Sequence, residues 1–255
     1  MAGLEWTSES SEQRVTERGF TLTVGEQAVF GIAWTPTGAD RWPTVLIGHG
    51  GTQHKRTPGV LSLARRLVRH LGYGAVAIDA PEHGDRRSAP QERFTPEQMR
   101  ARTAGLSSED LALMVQRNAT AVSEWRAVLD ALETTPGFSS GPFGYWGVSM
   151  GTAIGLPYAA SDSRVVAAVL GLAGLGDRLG SDRLAAAARS LAIPVLFLFQ
   201  WNDELIAPEH GIALFEAMGT KDKTMHVNPG GHLEMPFFER DAVEAFFRRH
   251  MGNPA

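Results

Sequence analysis

From Thr44 onward the chain repeats one pattern, and that pattern leaves few folds open. Short runs that are apolar on both faces (Thr44–Gly48, Tyr73–Asp79, Phe143–Gly147, Val165–Leu172, Ile193–Phe199), with a last strand at Lys223–Asn228, alternate with stretches of helical spacing. The helical stretches are Val60–Leu71, Ser107–Glu133, the run after Ser149, Gly174–Ser190, Pro208–Met218 and Glu239–Met251. Strands alternating with helices require right-handed crossovers, and their uniformly apolar character implies a parallel sheet covered on both sides. Ahead of this region, Phe20–Val24 alternates with period two. Gly25-Glu26-Gln27 reads as a turn and Ala28–Trp34 as a partner strand, giving an antiparallel hairpin closed by Pro36 and Gly38. The expected fold is therefore α/β, a mostly parallel eight-stranded sheet with an antiparallel N-terminal hairpin and helices on both faces. Residues 1–17 are polar and read as a loosely attached arm.

Nothing in the remaining sequence marks a second domain, so residues 1–255 are expected to form one unit with a single interruption. The segment 81–106 is rich in Pro, Arg and Glu and too long for an ordinary connection, which suggests a lid-like excursion. Ser107 is placed to cap the helix that follows, with Asp110 three residues on in the capping-box position. Pro136-Gly137 would stop that helix.

Composition excludes several function classes. A net charge of −4 gives no basic footprint for nucleic acid. The chain has no cysteine, so thiolate catalysis, disulfides and cysteine-based zinc sites are ruled out. The N-terminus lacks a basic segment followed by an apolar one, and the longest apolar runs are too short to span a bilayer. A cytoplasmic protein without membrane association is expected.

One strand end carries chemistry. Gly147-Val148-Ser149-Met150-Gly151 lies between an apolar run and a helix-compatible run. Gly-x-Ser-x-Gly in that setting marks a nucleophile elbow, a turn so sharp that a side chain two residues either side would collide. A serine hydroxyl needs a base, and the base needs a third group to orient it. In open α/β sheets such groups gather at the carboxyl ends of the strands. Among the histidines after Ser149, His210 and His250 sit in helical patterns and His226 inside a strand. His232, in Pro229-Gly230-Gly231-His232, sits in a glycine-rich loop just past the last strand. For the acid, Asp203 follows the strand 193–199, and Glu204 beside it could substitute. The order Ser149, Asp203, His232 is the one expected behind this elbow.

The developing oxyanion needs N–H donors. The Met150 backbone at the helix start is one candidate, and His49-Gly50-Gly51-Thr52, after the first buried strand, offers Gly51 with Thr52 next. Thr52, Trp201 and Leu175 are the candidate substrate-pocket walls, together with Met150 and Phe94 of the excursion. Asp79 and His83 read as a polar cluster fixing the turn after a strand. Lys55 and Arg56 read as exposed loop charges, although an anionic acyl group could draw on them.

These motifs together carry a resemblance. His49-Gly50-Gly51, Asp79-Ala80-Pro81-Glu82-His83-Gly84, Gly147-Val148-Ser149-Met150-Gly151, Asp203–Pro208 and Gly230-Gly231-His232 occur in the order found in α/β-hydrolases. The chain resembles the small bacterial esterases of the dienelactone-hydrolase-like group. That resemblance implies a serine carboxylesterase acting on small to medium acyl esters through an acyl-enzyme, with no metal or organic cofactor. Dienelactone hydrolase itself uses a cysteine nucleophile, so Ser149 favours ordinary ester hydrolysis. Activity should rise as His232 loses its proton. A peptidase or amidase with the same triad, and a non-catalytic ligand-binding protein on the same scaffold, are the competing readings. The expected partner is a small-molecule ester, and the chain is expected to be a monomer or homodimer.

Overall fold

The computed structural model describes every residue except 1–2, 39–40, 89–94, 96, 99–100, 102–103, 136–137, 139–140, 177–179 and 255. Among the described residues nine strands form one sheet, numbered along the chain and ordered in space as β1-β2-β3-β5-β4-β6-β7-β8-β9. The first three, β1 (Glu5–Glu12), β2 (Val15–Val24) and β3 (Gln27–Pro36), are antiparallel, and β3 joins β5 (Gly74–Ile78) antiparallel as well. From β5 onward all neighbours are parallel: β4 (Thr44–Gly48), β6 (Phe143–Val148), β7 (Val165–Gly171), β8 (Val195–Gln200) and β9 (Lys223–Asn228).

Helices cover both faces. On one face lie α1 (Pro58–Arg66), continued by a π-helical turn at Leu67–Leu71, and α6 (Glu239–Met251). On the other lie α2 (Ser108–Thr134), α3 (Met150–Ser161), α4 (Ser181–Ser190) and α5 (Pro208–Ala217). The period of a strand divides the core accordingly. Val45 and Ile47 of β4 pack with Leu63, Leu67, Val243 and Phe247 on the first face. Leu46 between them packs with Trp125, Leu129, Ile154 and Tyr158 on the second. Burying a Leu, Ile or Phe in such a layer favours folding by about 1.5–3 kcal/mol each. Each central strand therefore needs apolar residues at every position, which is why the runs carry no alternation.

The structure differs from the sequence expectation at the N-terminus. There are nine strands rather than eight, because residues 5–12 form β1 instead of a loose arm. β1 is exposed along almost its whole length, so it leaves no apolar alternation to read. It is held by its ladder to β2, by an edge-on contact of Trp6 with Phe20, and by the Arg18 guanidinium 4.2 Å from the Trp6 ring centre. The turn between β1 and β2 places Gln13 and Arg14 at positive φ (48° and 65°). Two-residue hairpins need that geometry but favour Asn-Gly or Asp-Gly, so Gln13-Arg14 gives no turn signal.

The capping box of α2 is present in full. Ser107 Oγ accepts from the Asp110 N–H, and Asp110 accepts from the Ser107 N–H. Pro136-Gly137, expected to stop α2, and Asp177, ahead of α4, lie outside the described residues. So do Phe94 and ten other positions of the 81–106 excursion.

Candidate active site

Ser149 stands between β6 and α3 with φ 57° and ψ −121°, backbone angles that a non-glycine residue adopts only under constraint. Its neighbours supply the constraint. A Cβ on Gly147 would lie 2.7 Å from the Gly151 carbonyl oxygen, and one on Gly151 would lie 2.8 Å from that of Gly48. The Ser149 N–H donates to Gly171 O of β7 at 2.9 Å. Thr152 Oγ lies 2.8 Å from Gly147 O and accepts the Gly171 N–H at 2.8 Å, which ties β6, β7 and α3 together behind the serine.

Two strand-end loops meet this hydroxyl. The His232 Nε2 lies 2.9 Å from Ser149 Oγ, and its Nδ1 lies 2.7 Å from Asp203 Oδ2. A carboxylate can only accept, so the proton sits on Nδ1 and Nε2 is left to accept from the serine. Asp203 is held in turn: its Oδ1 accepts the N–H groups of Leu205 (2.8 Å) and Ile206 (3.0 Å). Asp203 and His232 are both buried, at 7% and 3% exposure, so water competes little for these bonds. The three residues singled out in the sequence are thus contiguous. Glu204 does not touch the imidazole; its Oε2 accepts the His232 backbone N–H at 2.9 Å. His226 pairs with Glu239 at 2.9 Å, and His250 faces Asp222 at 3.9 Å.

Met150 is the first residue of α3, where a backbone N–H has no acceptor within its helix. Its side chain packs against the core. Gly51 borders the same cavity as Ser149 and His232, and a Cβ there would meet no atom within 4 Å. The loop carrying Gly51 is anchored by a residue whose part was not legible. His49 is buried; its Nδ1–H donates to Gly50 O (2.8 Å) and its Nε2 accepts the Ala80 N–H (3.1 Å). Burial pushes its pKa down to about 4, so it bonds as the neutral ring. The only sequence signal was a histidine directly after a strand.

Lys55 corrects an expectation. It is buried rather than exposed, with its Nζ 2.5 Å from Asp79 and 2.6 Å from Asp85. Asp79 also accepts the N–H groups of Lys55 and Asp85, each at 2.9 Å. Asp79 therefore fixes the turn after β5, as read, and holds the far end of the Gly51 loop. The His83 ring stands 5.1 Å from that of His49, and Arg56 pairs at the surface with Glu17 at 3.1 Å.

A cavity of about 240 Å³ opens on Ser149 and His232. Its apolar walls include Val60, Leu63, Trp146, Leu172, Leu233 and Met235. The three walls suggested by the sequence are elsewhere. Trp201 lies in the turn after β8 and is 53% exposed, because its N–H bonds Asn228 O and directs the chain outward. Leu175 packs against the core on the α3 side, its N–H donating to His210 O. Thr52 is next to Gly51 at φ 63° but is not among the lining residues. The cavity's apolar walls come from β6, from α1, from the loop after β7 and from the residues following His232. Proximity to the triad in sequence could identify only Trp146, just before Ser149, and the residues after His232.

The model of the dienelactone hydrolase family matches residues 29–232. Among solved structures, a PEG-bound cold-adapted esterase from an Arctic intertidal metagenomic library is 35% identical, with a TM-score of 0.82 over 97% of this chain and 99% of that one. The dienelactone hydrolase from Anabaena variabilis is 22% identical, with a TM-score of 0.64 over 94% of this chain and 100% of that one. The acetyl xylan esterase from Paenibacillus sp. R4 is 17% identical, with a TM-score of 0.70 over 98% and 89%. The last two share the fold. A search of curated proteins gives no match.

Proposed function

The chain belongs to the dienelactone hydrolase family, and from that premise we propose that it is a serine carboxylesterase of small to medium acyl esters. The 35%-identical relative, a cold-adapted esterase, supports this reading. One observation carries it: an unbroken chain of short contacts runs from Ser149 Oγ through the His232 ring to Asp203.

Ser149 Oγ attacks the ester carbonyl while His232 Nε2 takes its proton. Asp203 holds the ring in the tautomer that can do so and stabilises the imidazolium. The Met150 and Gly51 N–H groups receive the oxyanion. His232 then protonates the departing alcohol, leaving the acyl group on Ser149. Water, deprotonated by the same nitrogen, attacks the acyl-enzyme, and collapse returns the proton to Ser149 and frees the acid. No step uses a cofactor. Valine, leucine, methionine and tryptophan walls suit an apolar acyl or alcohol portion, and the 240 Å³ cavity favours short ones.

Residues 1–255 acting as one unit, as monomer or homodimer in the cytoplasm, complete the reading. Among the described residues no helix is long and apolar enough to cross a membrane. The test is hydrolysis of p-nitrophenyl acetate by the wild type and by Ser149→Ala. The wild type should turn over and the variant should not; equal rates would reject the assignment.

A further inference from the structure

Asp203 and Glu204 are consecutive, and both hold the same histidine, by different parts. Asp203 Oδ2 takes the ring at Nδ1, and Glu204 Oε2 takes the main chain at the His232 N–H, 2.9 Å away. Building on the esterase reading, we propose that Glu204 is a positioning residue that fixes the backbone of the catalytic histidine loop.

The loop's own sequence does little to fix it. Pro229-Gly230-Gly231-His232 has two consecutive glycines, and Gly230 sits at φ 131°. Glycine gives a loop freedom that must be removed by contacts if its histidine is to stay aligned. Those contacts come from the segment after β8. Asn202 N–H donates to Gly230 O at 3.1 Å, and Glu204 accepts from His232. From within the loop, Glu234 Oε2 accepts the Gly231 N–H at 2.8 Å. Only the Glu204 bond reaches the backbone of His232 itself from the segment that also carries Asp203. One rigid dipeptide thereby sets both the rotation of the ring and the position of its Cα.

Two further details fit this assignment. A Cβ on Gly231 would lie 2.7 Å from Glu204 Oε2, so glycine there leaves room for the carboxylate to reach the next residue's N–H. Gly231 needs no left-handed backbone, which makes that room the reason for it. The other oxygen, Glu204 Oε1, is buried and has no hydrogen-bond partner among the described residues. A buried acceptor left unsatisfied costs free energy, and the bond to His232 is what the side chain gains in that place. No metal, proton relay or substrate contact follows from it.

The experiment is a double-mutant cycle on p-nitrophenyl acetate with Glu204→Ala, Gly231→Ala, the double variant and Glu204→Gln. Misplacing a catalytic group by about 1 Å can cost on the order of 100-fold. Glu204→Ala should lower kcat about 10- to 100-fold with KM within about twofold. Glu204→Gln keeps an acceptor oxygen and should restore kcat to within about threefold of the wild type. Gly231→Ala pushes the carboxylate aside and should lower kcat alone but add little in the Glu204→Ala background, since both act on one bond. A Glu204→Ala kcat equal to the wild type, a Gln variant as slow as Ala, or additive effects would each overturn the assignment. Ser149→Ala run alongside separates the two claims: if it abolishes turnover while Glu204→Ala does not change it, the esterase reading stands and this one fails.

Discussion

Gly151 of α3 and Gly48 at the end of β4 approach so closely that no side chain fits between them; a Cβ on Gly151 would stand 2.8 Å from the Gly48 carbonyl oxygen. The obstacle is backbone, which cannot rotate away. Gly151→Ala should therefore destabilise the fold by about 3 kcal/mol, the upper part of the usual range for overpacking, and remove activity. Gly51→Ala is the contrast, because its Cβ would point into open space. It should leave stability within about 0.5 kcal/mol of the wild type while raising KM. Urea unfolding and kinetics on both variants check this pair. Equal stability losses would mean that the two glycines do the same job.

Asp203→Asn keeps the size of the side chain and changes its chemistry. The amide can donate to the ring, which would put the proton on the wrong nitrogen of His232. In triads generally this exchange costs about 10,000-fold in kcat. A loss of that order, with an unfolding midpoint near that of the wild type, is expected here. Proton NMR of the imidazole N–H would show whether the tautomer has changed. A loss below tenfold would remove Asp203 from the orienting role.

The fold was largely legible because the central strands are buried on both faces. Val45-Leu46-Ile47 must be apolar throughout, and helices had to follow. The elbow was legible for a similar reason, since Gly147 and Gly151 are imposed by backbone contacts that any such turn makes. β1 was missed because its ladder to β2 holds main chain, and main-chain bonds leave no residue pattern. The cavity walls were missed because Val60 and Leu172 reach the cavity from elements far apart in sequence. Lys55 was misread because burial depends on Asp79, twenty-four positions away.

His49 makes stability depend on pH. Its pKa is about 4 in the folded protein, against 6.5 ordinarily. Between these values the unfolded chain binds a proton that the folded protein refuses. Folding is therefore unaffected by this group above about pH 7, and weakens as pH falls from 6.5 toward 4, by about 3 kcal/mol in all. His49→Gln can still accept from the Ala80 N–H but does not titrate. Urea titrations at pH 7 and pH 4.5 should show a smaller pH effect in the variant. Parallel losses in the two proteins would show that His49 is not the group responsible.

Arg86 and Glu124 form a two-pronged ion pair, both contacts 2.7 Å, in which each side chain is at least nine-tenths buried. It joins the turn after β5 to α2. Removing one partner leaves the other charged and dry. Glu124→Gln or Arg86→Met should each cost about 3–5 kcal/mol, whereas Arg86→Met with Glu124→Leu should recover much of that. Chemical denaturation of the two single variants and the double variant tests the coupling, and simple additivity would contradict it.

The order of elements along the chain gives the site a history. Ser149 is seated by β4, β6 and β7, whereas Asp203 and His232 hang from the ends of β8 and β9, which join the sheet beyond them. A chain refolding from its first seven strands can thus display a strained, exposed serine that is chemically inert. Competence arrives only when β8 and β9 dock at the sheet's edge. Recovery of turnover during refolding therefore cannot precede the pairing of β8 and β9, whichever strands assemble first.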